Sequence, residues 1–294
     1  MATNGTILVT GATGNVGSVL IENLTKAGAN VRALVRNESK GRALRDVGVE
    51  LAIGDLSRPE TLDRAFAGVS KVYLLTPLNE DQYELASSGL AAAKRSGKPH
   101  VVRSSGMIPA PFEESRVGRH QVQLENDLKS SGLPYTILKP HLFMQTTMIA
   151  AETVKAEGAI YMPLKDGKIG MIDARDVAEV AAKVLTSAGH EGNSYELTGP
   201  AAISMHDVAA ALSKALGKPV KYVDVPPQAA KEFLLGMGFP EWIVGANLEF
   251  FQKFSEGGGN QVTGDFEKLT GHAPRSYEDF ARDFASVFQV ASSV

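Results

Sequence analysis

Apolar residues fall along the first half of this chain in two alternating rhythms. Short strand-like runs occur at Thr6–Thr10, Val31–Val35, Glu50–Ile53, Lys71–Leu75, His100–Arg103 and Tyr135–Lys139. Between them the apolar period lengthens to about 3.6 residues, which predicts helices over Asn15–Ala27, Ser39–Val47, Pro59–Ala67, Asp81–Ser96 and Gly118–Ser131. Gly28, Gly48, Gly68, Gly97 and Gly132 follow these helices, where a C-terminal cap is expected. After Lys139 the rhythm loosens. A helix is expected over 142–157, a loop or short strand over Gly158–Gly170, a helix over Asp176–Thr186 and a seventh strand at Ser194–Leu197. Ser204 and Asp207 form a capping-box pattern ahead of a helix over Val208–Leu216. A short strand at Val220–Val225 follows, then a mostly helical remainder broken at Pro240 and Gly257–Gly259.

Alternating β and α units predict an α/β protein: a doubly wound parallel sheet of Rossmann type with right-handed crossovers. Residues 1–140 are expected to form this dinucleotide-binding domain. Residues 141–294 would be a smaller, helix-rich substrate region, with Asp173–Thr198 returning to the sheet. Ligands in such folds bind outside the carboxyl ends of the strands, so each strand's last residues are candidate site positions. The first strand runs into Gly11-Ala12-Thr13-Gly14-Asn15-Val16-Gly17. Gly11 turns the chain, Gly14 leaves bare backbone for a pyrophosphate, and Gly17 lets the next helix pack close to the strand. The helix start, with Asn15 and Val16, offers N–H groups and a dipole to the phosphates. Where NAD-specific folds place a carboxylate after the second strand, this chain has Arg36, with Lys40 and Arg42 nearby. A guanidinium can hold a 2′-phosphate in bidentate fashion, so NADP(H) is expected over NAD(H), with NAD(H) still possible. Asp55 and Leu56 are placed to meet the adenine. Leu75, Thr76 and Pro77 lie beside the expected nicotinamide ribose, and Ser104 and Pro140 end the fifth and sixth strands.

Four stretches carry a family resemblance: Gly11–Gly17, Ser131–Pro140, Met171–Ala178 and Tyr195–Pro200. Together they resemble the NmrA-like branch of the atypical short-chain dehydrogenases, across nearly the whole chain. The resemblance implies the fold and the nucleotide. It also implies the activity of relatives that are NADPH-dependent quinone, azo-dye or triphenylmethane reductases. The branch further includes non-catalytic redox sensors and enzymes of other chemistry. Typical short-chain dehydrogenases use Tyr-x-x-x-Lys on the helix after the fifth strand, where one turn brings phenol and ammonium together. Here Tyr135 and Lys139 have that spacing but lie in a strand run, where four residues span roughly 13 Å. The helix itself carries His120-Gln121 and Glu125. Relatives often have His or Lys four residues before that Glu; here Gln121 holds the slot and His120 is displaced by one. His120 then reads more readily as a surface histidine than as an acid. Ser104, Ser105, His120 and His141 remain the candidates for substrate placement or proton transfer. Phe143, Met144, Met148, Trp242, Phe250 and Phe251 are candidates to line an apolar pocket for a flat aromatic substrate, or to be core.

Composition removes other classes. Net charge is −3 with no Lys/Arg run, which argues against a broad nucleic-acid surface. The absence of cysteine excludes disulfides, thiol nucleophiles and thiolate-bound metal. No His, Asp or Glu cluster suggests a metal, and no Gly-x-Ser-x-Gly suggests a hydrolase. No signal peptide or membrane span is read, so a cytoplasmic protein without membrane partners is expected. A homo-oligomer stays open. The expected activity is NADP(H)-dependent hydride transfer to a quinone-like or conjugated aromatic acceptor. The alternatives are a nucleotide-reading sensor that docks on a protein partner and a tailoring enzyme of aromatic polyketides.

Overall fold

The computed structural model describes residues 5–108 and 112–289. Seven parallel strands form its main sheet: β1 (Thr6–Val9), β2 (Asn30–Val35), β3 (Glu50–Ile53), β4 (Val69–Leu74), β5 (His100–Ser104), β6 (Tyr135–Pro140) and β8 (Ser194–Leu197). Their spatial order is β3-β2-β1-β4-β5-β6-β8. The chain builds outward from β1 to β3 and then crosses back to β4. That reversal opens a crevice at the carboxyl ends of β1 and β4.

Both faces of the sheet are covered, which is why its strands read as continuous apolar runs. On one face α1 (Asn15–Lys26) and α7 (Ala174–Thr186) pack against each other, burying Val16, Leu20 and Leu24 with Val177, Ala181 and Val184. On the other face lie α3 (Leu62–Phe66), α4 (Gln82–Arg95) and α5 (Arg116–Lys129), over Leu8, Val72, Val101 and Ile137. α2 (Glu38–Asp46) lies against β2 and β3. Asp173, buried completely, caps α7 by accepting the Arg175 N–H at 2.8 Å, and its carboxylate also pairs with the Arg175 guanidinium.

A second core gathers α6 (Ala151–Glu157), α8 (Met205–Leu216), α10 (Glu241–Ser255) and α12 (Tyr277–Asp283) around a two-stranded parallel ribbon. The ribbon pairs β7 (Ala159–Met162) with β9 (Lys221–Asp224). α9 (Pro227–Gly236) packs on α10, and α11 (Asp265–Thr270) returns to α7 and β8. The capping box at Ser204 and Asp207 is complete in both directions.

Two expected helices differ. The stretch 142–157 is not one α-helix: Met144–Ala150 is a 3-10 helix that leads into α6. Phe143 bridges to Ile172, and the hydroxyls of Thr146 and Thr147 bond the carbonyls three residues back, at 2.6 and 2.8 Å. Those bonds favour the tighter turn. Likewise Pro59–Thr61 is a 3-10 turn ahead of α3.

Candidate active site

The glycine turn is a cradle built from the protein's own backbone. Gly11 has φ +63°, and the Gly14 N–H donates to the Gly11 carbonyl at 3.0 Å. A Cβ at Gly17 would overlap the Gly11 carbonyl oxygen and come within 2.8 Å of its carbon, so α1 can approach this closely only with glycine there. α1 begins without a side-chain cap and without an acid in its first turn. Its first N–H groups therefore face outward for an anion. Thr10, which sequence reasoning did not single out, locks the crevice. Its buried hydroxyl donates to the Leu75 carbonyl at 2.7 Å and accepts the Leu75 N–H at 2.8 Å, tying the ends of β1 and β4 together. Leu75 in turn packs beside Gly11, where an added Cβ would lie 3.1 Å from its side chain.

Arg36 and Lys40 are exposed at the end of β2. Asn37 caps α2 by accepting the Lys40 N–H at 3.1 Å, and Glu38 pairs with Arg45 at 3.2 Å. Neither Arg36 nor Lys40 has an ion-pair partner among the described residues, so both cations face solvent beside the crevice. Two positions beyond β3 are less free than expected. Leu56 is buried in the core under α3 and α4, and Asp55 Oδ1 accepts both the N–H and the hydroxyl of Ser57 at 2.9 Å.

At the end of β4 the buried Thr76 hydroxyl lacks a partner, whereas at the ends of β5 and β6 the Ser104 hydroxyl faces Tyr73 and the His141 ring faces the Gly259 backbone and the Gln261 amide. Pro77 follows Thr76, and Pro140 closes β6. An unpaired buried hydroxyl such as that of Thr76 is rare inside proteins and fits a site completed by a ligand. His141 Nδ1 accepts the Leu142 N–H at 2.7 Å, and its ring rests on Phe254 with centroids 5.7 Å apart. Burial depresses its pKa to about 4, so it is a neutral imidazole at neutral pH. The unfolded chain takes up that proton near the ordinary value of 6.5, so His141 stabilises the fold above 6.5 and loses that contribution as pH falls toward 4. The expected loss is up to roughly 3 kcal/mol. Thermal melts from pH 7 to 4 should show a shallower decline for His141→Gln than for the wild type; parallel curves would refute this.

Tyr135 and Lys139 lie on strand β6, and they do not form a helical Tyr–Lys pair. Lys139 instead reaches Glu125, Nζ to Oε2 at 2.8 Å. His120 is not a solvated surface residue. It is half-buried and stacked on Trp242, ring centroids 5.9 Å apart and planes at 16°, with Tyr83 also near, ring centroids 6.5 Å apart. Behind it Arg103 is fully buried, a position that sequence reasoning left as strand. Its Nη1 donates to the carbonyls of Leu74, at 3.3 Å, and of Ser104, and its Nη2 donates to Gln121 Oε1 at 3.2 Å. Burial lowers its pKa to about 10, which still leaves it charged at neutral pH.

The aromatic candidates do not line one pocket. Met144 is core, packed in the second cluster, and Met148 packs against the same cluster. Phe143 makes the bridge to Ile172. Phe250 stacks on Phe254 and meets Phe112 at 5.6 Å, on the His141 side of α10. Phe251 lies toward the ribbon, where it lines a separate apolar cavity of about 240 Å³ with Phe233, Tyr161 and Met162. α10 is fastened to α5 by Glu249, which accepts the Arg116 N–H and Nε, each at 2.8 Å. Gly245 leaves room there, since a Cβ would run into the Arg116 guanidinium. Trp242 is thereby held against His120 of α5, and Phe250 against Phe112 just ahead of α5.

Among the described residues no group of three His, Cys, Asp or Glu is arranged to hold a metal. No described helix is long and apolar enough to cross a membrane. A family model described as the NmrA-like family matches residues 3–281. The chain is 40% identical to an NAD(P)H azoreductase of Xenophilus azovorans, covering 97% of this chain and 100% of that one. It is 34% identical to a (4-alkanoyl-5-oxo-2,5-dihydrofuran-3-yl)methyl phosphate reductase of Streptomyces griseus, covering 96% and 99%. The crystal structure of an NADPH-dependent quinone oxidoreductase of Escherichia coli in complex with NADPH matches with a TM-score of 0.85 at 28% identity, covering 95% of this chain and 99% of that one.

Proposed function

The chain belongs to the NmrA-like family, and from that membership we propose that it is an NADP(H)-dependent reductase passing hydride to a quinone-like or conjugated aromatic acceptor. The observation that carries the reading is the turn at Gly11–Gly17, built so tightly that only glycine fits at Gly17, beside a β2 end where Arg36 follows the strand and the nearest carboxylate, Glu38, is paired with Arg45. Relatives with names or complexes naming NAD(P)H and azo, quinone or furanone acceptors support it.

The residues fit the nucleotide. Gly11, Thr13, Gly14 and Gly17, with the N–H groups of Asn15 and Val16, would hold the pyrophosphate. Arg36 and Lys40 would hold the 2′-phosphate. Asp55 would edge the adenine, while Leu56 stays in the core beneath it. Leu75, Thr76 and Pro77, with Ser104 and Pro140, would border the nicotinamide half. When bound, the reduced nicotinamide supplies the hydride. The chain's own contribution is orientation and exclusion of water by His141, Phe250 and the Trp242–His120 stack. Among the described residues no phenol–ammonium pair stands ready to give a proton, and His141 is already neutral. A reduced quinone or dye can take its proton from water, so the pair's absence suits acceptors of that kind.

The test is NADPH oxidation with menadione, azo dyes and triarylmethane dyes as acceptors. Steady turnover is expected. Nucleotide binding without turnover across all of them would favour the sensor instead. In the same assay His120→Gln and His120→Ala should each cost less than about tenfold, short of the 10²–10⁴-fold loss typical when a general acid is removed. A loss in that larger range in both variants would make His120 the acid.

A further inference from the structure

Ser105 stands where β5 runs out, 9% exposed, with its N–H donated to the Leu138 carbonyl at 2.8 Å. Its hydroxyl meets two acceptors on α5, Glu125 Oε1 at 2.8 Å and Gln121 Oε1 at 3.1 Å. A serine hydroxyl has one hydrogen to give. The carboxylate is nearer and charged, and charge-assisted bonds are about twice as strong as neutral ones. Glu125 therefore takes the hydrogen.

The other partners fix this arrangement. Arg103 can only donate, so it turns the Gln121 amide with its oxygen toward Ser105, and the amide nitrogen donates to Gln82 Oε1 at 3.2 Å. Glu125 is itself nearly buried, with Lys139 Nζ 2.8 Å and Lys129 Nζ 3.7 Å from Oε2. Two acceptors and no donor from α5 face the Ser105 hydroxyl. What remains on the oxygen is lone pairs.

We propose that Glu125 is a positioning residue for the nucleotide: by holding the Ser105 hydrogen in α5, it makes the Ser105 oxygen an acceptor for the N–H₂ of the nicotinamide carboxamide. This rests on the functional reading above. With the pyrophosphate at the start of α1, the adenine half extends toward β2 and β3 and the nicotinamide half toward β5 and β6. The carboxamide N–H₂ is the hydrogen-bond donor that the nicotinamide ring carries. Ser105 is thus an orienting group, and its hydrogen is not the one given to the acceptor.

The experiment is calorimetric titration of the protein with NADP⁺ and with its 3-acetylpyridine analogue, which keeps the carbonyl oxygen and replaces the amide nitrogen with a methyl group. The wild type should bind NADP⁺ more tightly by roughly three- to tenfold, the worth of one neutral hydrogen bond. Ser105→Ala should weaken NADP⁺ by that factor, leave the analogue unchanged and bring the ratio near one. Glu125→Gln keeps the shape of the side chain but can hand Ser105 a hydrogen and release the hydroxyl's own. It should lower the ratio in the same direction, with the analogue again unaffected. Equal weakening of both nucleotides by Ser105→Ala would overturn the proposal, because the hydroxyl would then touch the carbonyl oxygen or merely support the fold. An unchanged ratio in both variants would overturn it too. Failure of the wild type to bind either nucleotide would refute the functional reading, and this inference with it.

Discussion

Arg36→Asp is expected to weaken NADPH about a hundredfold while leaving NADH within a few fold. A hydrogen bond to a charged group contributes about 1.5–3 kcal/mol, and a guanidinium can offer two to one phosphate. Arg36 is exposed, so solvent and salt discount that contribution toward its lower end. Aspartate then adds repulsion of about 1 kcal/mol at 4 Å in high dielectric. Lys40 remains on the same exposed rim, so some NADPH affinity should survive. NADH has no 2′-phosphate and loses none of this. Dissociation constants for both nucleotides, measured at one fixed ionic strength, decide the matter. A wild type that already prefers NADH would sink the assignment of this rim to the 2′-phosphate.

Gly14→Val should abolish measurable binding of both nucleotides, by a hundredfold or more, and leave the protein folded. Gly14 is the N-cap of α1 with φ −88° and ψ 176°, a conformation that any residue adopts. An added Cβ would meet within the protein only the Gly11 carbonyl oxygen, at 3.3 Å. Valine at an N-cap should cost the helix about 1 kcal/mol, a small loss for a chain of this size. The valine methyls, though, would stand on the bare backbone against which a pyrophosphate must lie, and the N–H groups of α1 would lose their anion. Retained melting temperature with lost binding is the expected signature. The neighbouring Gly17 behaves differently, because there even a methyl collides with the Gly11 carbonyl. Unchanged titrations of Gly14→Val would mean that the phosphates lie elsewhere.

The strands β1, β2, β4, β5 and β6 could be read from the chain because each is a short, mostly buried apolar run bounded by glycine or polar residues, and the less buried edge strand β3 could be read because Gly48 and Gly54 bracket it. The glycine turn was legible for the same local reason: its spacing is the geometry. What escaped depends on partners distant in sequence. His120 looks like a surface histidine until α10 brings Trp242 against it. Arg103 looks like an ordinary charge at a strand's end, yet Gln121 and the carbonyls of Leu74 and Ser104 take it fully inside. The Ser105–Glu125–Lys139 contacts join three separate elements, and no periodicity marks them. The turn at Met144–Ala150 was missed because its apolar spacing suits an α-helix while the two threonine hydroxyls tighten it.

The way the chain is threaded has a consequence for how its parts can be exchanged. After β6 the backbone leaves the main sheet for β7, returns with α7 and β8, leaves again for α8 to α10, and comes back to lay α11 beside α7. The two cores are sewn together, not strung one after the other. A cut near residue 140 would strip α1 of the helix that covers Leu20 and Leu24, and would leave β6 an open edge. The second core therefore cannot be exchanged as a cassette without cutting into the first. A change of packing in one core is then felt at α7 and α11, which lie against α1 and β8 of the other.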